Sequence, residues 1–266
     1  MSNNSSDKLS SDKDKKVIEI FHLYHSGVAL IIDDSLLIFD YYNDKIDNDK
    51  SDNNERSLRT GVIDKNDLRR FNQIYVFVSH RHSDHYNPVI FDWVKANPDI
   101  YYILSSDIQL DMGKLKNLED KVFFTDKDSS LELDNLYIET YGSTDLGVSF
   151  LLQINNFNIF HAGDLNWWHW KSFSSDELKK EEEDYKSEIN KLKGKNINIA
   201  FVPVDPRLEE YYYLAGEYFI QEIHPELFVP IHFADNYEIS KEFADKIKSS
   251  QTEIAMIKGR GDSILI

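Results

Sequence analysis

Two series of short apolar runs, one ending at residue 40 and one between residues 130 and 164, constrain this chain more than any other feature. In the first, VIEIFHL (17–23), VALIID (28–33) and SLLIFD (35–40) are separated only by punctuation such as Ser26-Gly27 and Asp34-Ser35, the pattern of a β meander. In the second, SLELD, NLYIETYG, GVSFLLQI and FNIFHAGD repeat it. Each series is followed by a mixed stretch. After the first come a strand QIYVFV (73–78), a helix from Pro88 (PVIFDWVKAN), YYIL (101–104), a helix near 106–115 and KVFF (121–124). After the second come a long charged helix, strands INIAFVPV and ELFVPIHF, helices over 214–223 and 237–248, and closing strands EIAMIK and SILI. The order strands, mixed, strands, mixed predicts an α+β chain with two packed sheets, one from each half, and helices outside them.

At 266 residues with 41% hydrophobic content, one domain over 16–266 accounts for the pattern. Residues 1–15 are polar and are expected to be a disordered leader, and the Asn/Asp-rich stretch 43–58 a surface loop within the domain. The charged helix, about 174–194, opens with a Ser174/Glu177 capping box and carries an apolar stripe of Leu178, Tyr185, Ile189 and Leu192; Gly194 ends it, and it reads as a solvated cover with one packed face. Net charge is -17 and no stretch supplies a basic track, which disfavours nucleic acid as a partner and leaves a small molecule. With no apolar signal region and no membrane span, the expectation is a cytoplasmic protein of undetermined oligomeric state.

The strand 73–78 delivers the chain into FVSHRHSDHYNP (77–88), where three of nine histidines and one aspartate fall within six positions. His80 and His82, two apart, can point the same way, and Asp84 and His85 can face the same space from another side. Cysteine is absent, so a metal has only imidazole and carboxylate donors, a set suited to Zn²⁺ and also to Mn²⁺ or Fe.

SHRHSDH resembles the His-x-His-x-Asp-His signature of the metallo-β-lactamase superfamily, and further landmarks fall in that family's order from about residue 17 onward. The resemblance implies a four-layer αββα sandwich with a metal site at one edge between the sheets. By it, His80, His82, Asp84, His85, Asp164 (in FHAGDLN) and His232 (in VPIHF) are metal ligands, Asp164 bridging two ions, and Asp40 (in LLIFD) buttresses the metal loop. YHSGVAL, HAGD and PIHF are most similar to the branch that includes ascorbate-6-phosphate lactonase. One departure matters: TYGSTDLGVSF has no histidine where the family supplies a further ligand, and Asp145 is the nearest replacement, with a turn before Gly147 as its alternative role.

The implied activity is hydrolysis of an ester, lactone or phosphoester bond of a small polar or anionic substrate, with one or two ions per chain. A water held by the ions and Asp164 is the expected nucleophile, so Asp84, Asp164 and His161 are candidate catalytic groups. His161, three residues before Asp164, is expected to orient that carboxylate or touch substrate. His25, Trp168, His169 and Arg207 are candidate substrate contacts, Arg207 for a carboxylate or phosphate. A zinc phosphodiesterase acting on nucleotides or RNA, and a non-catalytic metal-binding protein, are the competing expectations. A di-iron oxygen-reducing member would carry Glu where His82 stands.

Overall fold

The apolar runs of the first half form strands that are buried on both faces. The computed structural model describes residues 17–46, 55–110, 118–248 and 251–266. Strands β1 (Ile18–Tyr24), β2 (Gly27–Ile32), β3 (Ser35–Phe39), β4 (Gln73–Val78), β5 (Ile100–Ser105) and β6 (Val122–Thr125) lie in one seven-stranded sheet. The second sheet holds β7 (Ser130–Leu133), β8 (Leu136–Tyr141), β9 (Ser149–Ile154), β10 (Phe157–His161), β11 (Ile199–Pro203), β12 (Leu227–Ile231) and β13 (Glu253–Ile254). One correction to the half-by-half expectation follows. The last strand, β14 (Ser263–Leu265), crosses back to pair antiparallel with β1 and closes the edge of the first sheet.

Alternation along each strand divides its side chains between two environments. Leu37, Phe39, Tyr75 and Phe77 enter the core shared with the second sheet, whereas Leu36, Ile38, Ile74, Val76 and Val78 face an outer cluster containing Ile90 and Trp93. That two-sided burial is why the strands read as unbroken apolar runs. Phe39 stacks on Phe77 at 4.6 Å and Phe77 meets Phe150 of the opposite sheet edge-on at 5.4 Å. On the second sheet's outer face, α3 (Leu214–Ile223) lays Phe219 on Phe160 at 5.3 Å, and α4 (Glu238–Ile247) lays Phe243 on Phe228 at 5.1 Å. Helix α2 (Ser175–Lys191), with the expected capping box, packs through Tyr185, whose hydroxyl donates to Ala215 O at 2.8 Å. A short α1 spans Lys65–Leu68.

The helix expected from Pro88 is a 3₁₀ helix, Pro88–Lys95. Its buried residues, Ile90 and Trp93, stand three apart, which matches three residues per turn. Of the helix expected near 106–115, Ser106 and Asp107 form a turn and residues 111–117 lie outside the described residues. The leader 1–15 and the centre of the 43–58 loop, residues 47–54, also lie outside them. Among the described residues no helix is long and apolar enough to cross a membrane.

Strands β3 to β6 run parallel, as do β10 to β13. The segments leaving β3, β4, β10, β11 and β12 therefore emerge along one edge of the sandwich, where a binding crevice is expected.

Candidate metal centre

Asp40, the first residue past β3, is buried and holds a left-handed backbone (φ 45). Its carboxylate accepts from Ser79 N at 2.8 Å, Ser79 Oγ at 2.7 Å and His85 Nδ1 at 2.8 Å. Because the Ser79 hydroxyl proton goes to Asp40, its oxygen is left to accept from His80 Nδ1 at 3.0 Å. One carboxylate thus sets the tautomer of two histidines and frees both Nε2 lone pairs. The loop is pressed close by glycine: a Cβ on Gly147 (φ +71) would stand 1.9 Å from Ser79 O, the acceptor for Val148 N.

The same logic recurs after β11 and β12. His232, with φ 70, faces Asp205 Oδ2 with Nδ1 at 3.3 Å, and Arg207 clamps both oxygens of that aspartate at 2.6–3.0 Å. Its Nε2 then lies 3.1 Å from Asp164 Oδ1, an oxygen that His85 Nε2 also approaches at 3.0 Å, while His80 Nε2 is 3.4 Å from Asp164 Oδ2. His85 Nε2 and Asp164 Oδ1 are buried and have no hydrogen-bond partner despite this proximity. Donor atoms that crowd within 3–4 Å without bonding one another fit a shared cation, whose ligand bonds are about 2 Å. His82, reaching in with Nδ1, hydrogen-bonds His80 Nε2 at 3.0 Å and lies 3.7 Å from Asp145 Oδ2.

Two four-residue groups result, each with donor atoms within 4.8 Å of one another: His25, Asp84, His85 and His232; and His80, His82, Asp145 and Asp164. The first is mostly buried. The second opens to solvent through the side chains of His82 and Asp145, 42% and 41% exposed. All seven candidate ligands from the sequence converge here, and Asp145 stands where the expected histidine is missing. Burial opposes charging these rings, yet Asp164 and Asp40 raise His85 to about 10, and Asp164 with Asp205 raises His232. Burial likewise works to raise Asp164, but His232 and His85 hold it well below the usual carboxylate range. The carboxylates therefore stabilise positive charge at this point, which an ion or protons can supply.

A cavity of about 440 Å³ opens above the centre, lined by His82, Asp84, Asp145, Trp168, Trp170 and Arg207 among others. Trp168 and Trp170 are parallel at 5.8 Å, and the Arg207 guanidinium lies 5.7 Å from the Trp170 ring. Two expectations, a catalytic role for His161 and a substrate contact for His169, need correction. His161 is fully buried with both nitrogens engaged by backbone, Nε2 with Ser26 O at 3.0 Å and Nδ1 with Gly163 N at 3.2 Å, and it stacks on Phe39; it braces the Asp164 turn and has no atom free for proton transfer. His169 packs on Tyr211 at 4.2 Å and is not part of the cavity lining, where Trp170 stands instead. The α2 helix is more than a solvated cover, since Glu181 lines the cavity with Oε2 buried and unpartnered, and its pKa is raised by burial first. The signal for Glu181 was a polar residue inside the apolar stripe, three after Leu178 and four before Tyr185.

Architecture and site geometry meet in comparison with solved structures. The chain is similar to Igni18, a metallo hydrolase of the archaeon Ignicoccus hospitalis, with a TM-score of 0.61 at 13% identity over 94% of this chain and 98% of that one. It is similar also to YhfI, a metallo-β-lactamase fold protein of Bacillus subtilis, with a TM-score of 0.55 at 11% identity over 94% and 100% of the two chains. The chain has the metallo-β-lactamase fold. Within that fold the two sheets are the inner layers of the αββα sandwich. CmlA, a diiron β-hydroxylase of Streptomyces venezuelae, shares it with a TM-score of 0.59 at 10% identity; 97% of this chain matches, but only 55% of that longer one. No family model matches the chain, and no curated protein matches it in sequence.

Proposed function

We propose that the chain is a metal-dependent hydrolase of the metallo-β-lactamase superfamily, acting on an ester, lactone or phosphoester bond of a small polar or anionic molecule. The observation that carries this reading is the convergence of four imidazoles on Asp164 at the floor of an open cavity, with the Nε2 atoms of His80 and His85 freed by bonds at Nδ1. When bound, an ion such as Zn²⁺, or Mn²⁺ or Fe, lowers the pKa of water towards about 7 and polarises the oxygen under attack.

The chain's residues do the rest. Asp164, kept ionised between His85 and His232, fixes the spacing of the two donor groups. Asp84 and Asp145, both lining the cavity, are the carboxylates placed to accept a proton from an attacking water. Arg207, oriented by Asp205, offers a fixed positive charge for a carboxylate or phosphate, and the Trp168/Trp170 pair covers an apolar portion and excludes water. YHSGVAL, HAGD and PIHF support the lactonase-like branch. A nucleotide phosphodiesterase is the second reading, favoured by the same tryptophan pair, which offers a stacking face to one base; the net charge of -17 counts against an RNA polymer.

The test is metal content per chain, by mass spectrometry on protein purified without added metal, for wild type, Asp164→Ala and Asp145→Ala, followed by an ester, lactone and phosphoester panel. Two ions in the wild type with fewer in both variants, and turnover of one panel class, are expected. A fully loaded chain inert to the whole panel would refute the hydrolase reading in favour of a non-catalytic metal protein.

A further inference from the structure

Three of the four buried histidines at the centre, His80, His85 and His232, direct Nε2 at Asp164, and the fourth, His25, directs it at Asp84. His80 and His85 turn Nδ1 outward to an oxygen, Ser79 Oγ and Asp40 respectively, and leave Nε2 facing inward; His232 also turns Nε2 inward, its Nδ1 lying 3.3 Å from Asp205 Oδ2 and 3.4 Å from Arg207 Nη2. His25 sits in the β1–β2 turn with φ 56, and its carbonyl accepts from His232 N at 3.0 Å. Its Nδ1 faces a donor, accepting from Ala234 N at 3.2 Å. A ring nitrogen that accepts carries no hydrogen, so the hydrogen of this imidazole is on Nε2. That atom is buried, has no hydrogen-bond partner, and points at Asp84 Oδ2 from 3.7 Å. The ring is held by contact with His232 and His85, with centroids 4.0 and 5.7 Å away.

We propose that His25 is a hydrogen-bond donor that positions Asp84, and that it is not a metal ligand although it stands among the ligands. The inference rests on the reading of the centre as a metal site. To ligate through Nε2, the ring would have to move its hydrogen to Nδ1, where it would face the Ala234 N–H donor to donor. Asp84, by contrast, lacks a brace: its side chain is 45% exposed and, among the described residues, His25 is the basic group within 4 Å of its carboxylate, His85 and His232 standing farther off in the same cluster. A carboxylate that ligates through one oxygen is oriented by a donor to the other. Rotation of Asp84 by roughly 0.8 Å closes the gap to an ordinary hydrogen bond of about 2.9 Å. Asp40 and Asp205 thus brace imidazoles from behind, and His25 inverts the roles by bracing a carboxylate.

The experiment compares His25→Gln, whose amide nitrogen keeps a donor near Nε2, with His25→Glu, which offers a ligand oxygen and no donor, and with His25→Ala. Zn²⁺ affinity is read by calorimetry with a competing chelator, and the coordination environment by the visible spectrum of the Co²⁺-loaded chain. Expected are two ions at saturation in every variant, second-ion affinity weakened about 10- to 100-fold in His25→Ala, restoration in His25→Gln but not His25→Glu, and a Co²⁺ spectrum of wild-type form in His25→Ala. Restoration by Glu and not by Gln, with a changed Co²⁺ spectrum in His25→Ala, would make His25 a ligand and overturn the proposal. Gln and Glu are alike in size, so a common loss of packing cancels between them. A wild-type chain that binds no Zn²⁺ would instead overturn the metal reading on which the proposal stands.

Discussion

His22 lies on β1 behind the centre, stacked on Phe233 at 5.1 Å, one residue past His232. Only 1% of it is exposed, and neither ring nitrogen has a hydrogen-bond partner. Burial, and then the charge of Arg260, depresses its pKa from 6.5 to about 3. The unfolded chain takes up a proton at His22 below pH 6.5 whereas the folded chain refuses it until about pH 3, so stability falls as pH drops through that window. At pH 5 the loss from this residue is about 2 kcal/mol relative to pH 7.5, where it is near zero. His22→Leu removes the ionisation at similar volume. The packing change is the same at both pH values and cancels when wild type and variant are compared at each. Urea unfolding at pH 7.5 and 5.0 is expected to show the variant gaining about 2 kcal/mol on wild type at the lower pH. Equal pH dependence in the two chains would refute the assignment of His22 as a buried neutral imidazole.

Replacing Asp40 by Asn keeps its shape but removes the charge that serves Ser79 and His85, and chelator competition is expected to show metal affinity down about 10- to 100-fold. Gly147→Ala forces a Cβ against Ser79 O at positive φ, and thermal unfolding should register a loss of at least about 2 kcal/mol; wild-type stability would mean the loop yields freely. Arg207→Lys keeps the charge but loses the fork on Asp205, so KM for an anionic substrate is expected to rise about tenfold or more, with a smaller change for a neutral analogue of the same ester. An equal effect on both substrates would place Arg207 with His232 rather than with the substrate.

What was legible in the sequence and what was not divide along physical lines. Strands buried on both faces, such as β3 and β4, announce themselves because nothing polar interrupts LLIF or YVFV. The candidate ligands His80 to His85 were legible because four donor residues follow one strand end in a single tight loop. The approach of Asp205 to His232 escapes a sequence reading, because it joins two strand ends 27 positions apart and leaves no local pattern. The partnership of β14 with β1 is hidden for the same reason, SILI being too short to declare a sheet. Hardest to read were the groups whose meaning lies in hydrogen-bond direction. His25 and His85 are both buried histidines beside aspartates in the same site, and the sequence reads the first as a substrate contact and the second as a ligand. Only the partner of Nδ1, an N–H for one and a carboxylate for the other, separates the proposed donor from the candidate ligand, and that partner belongs to the tertiary fold.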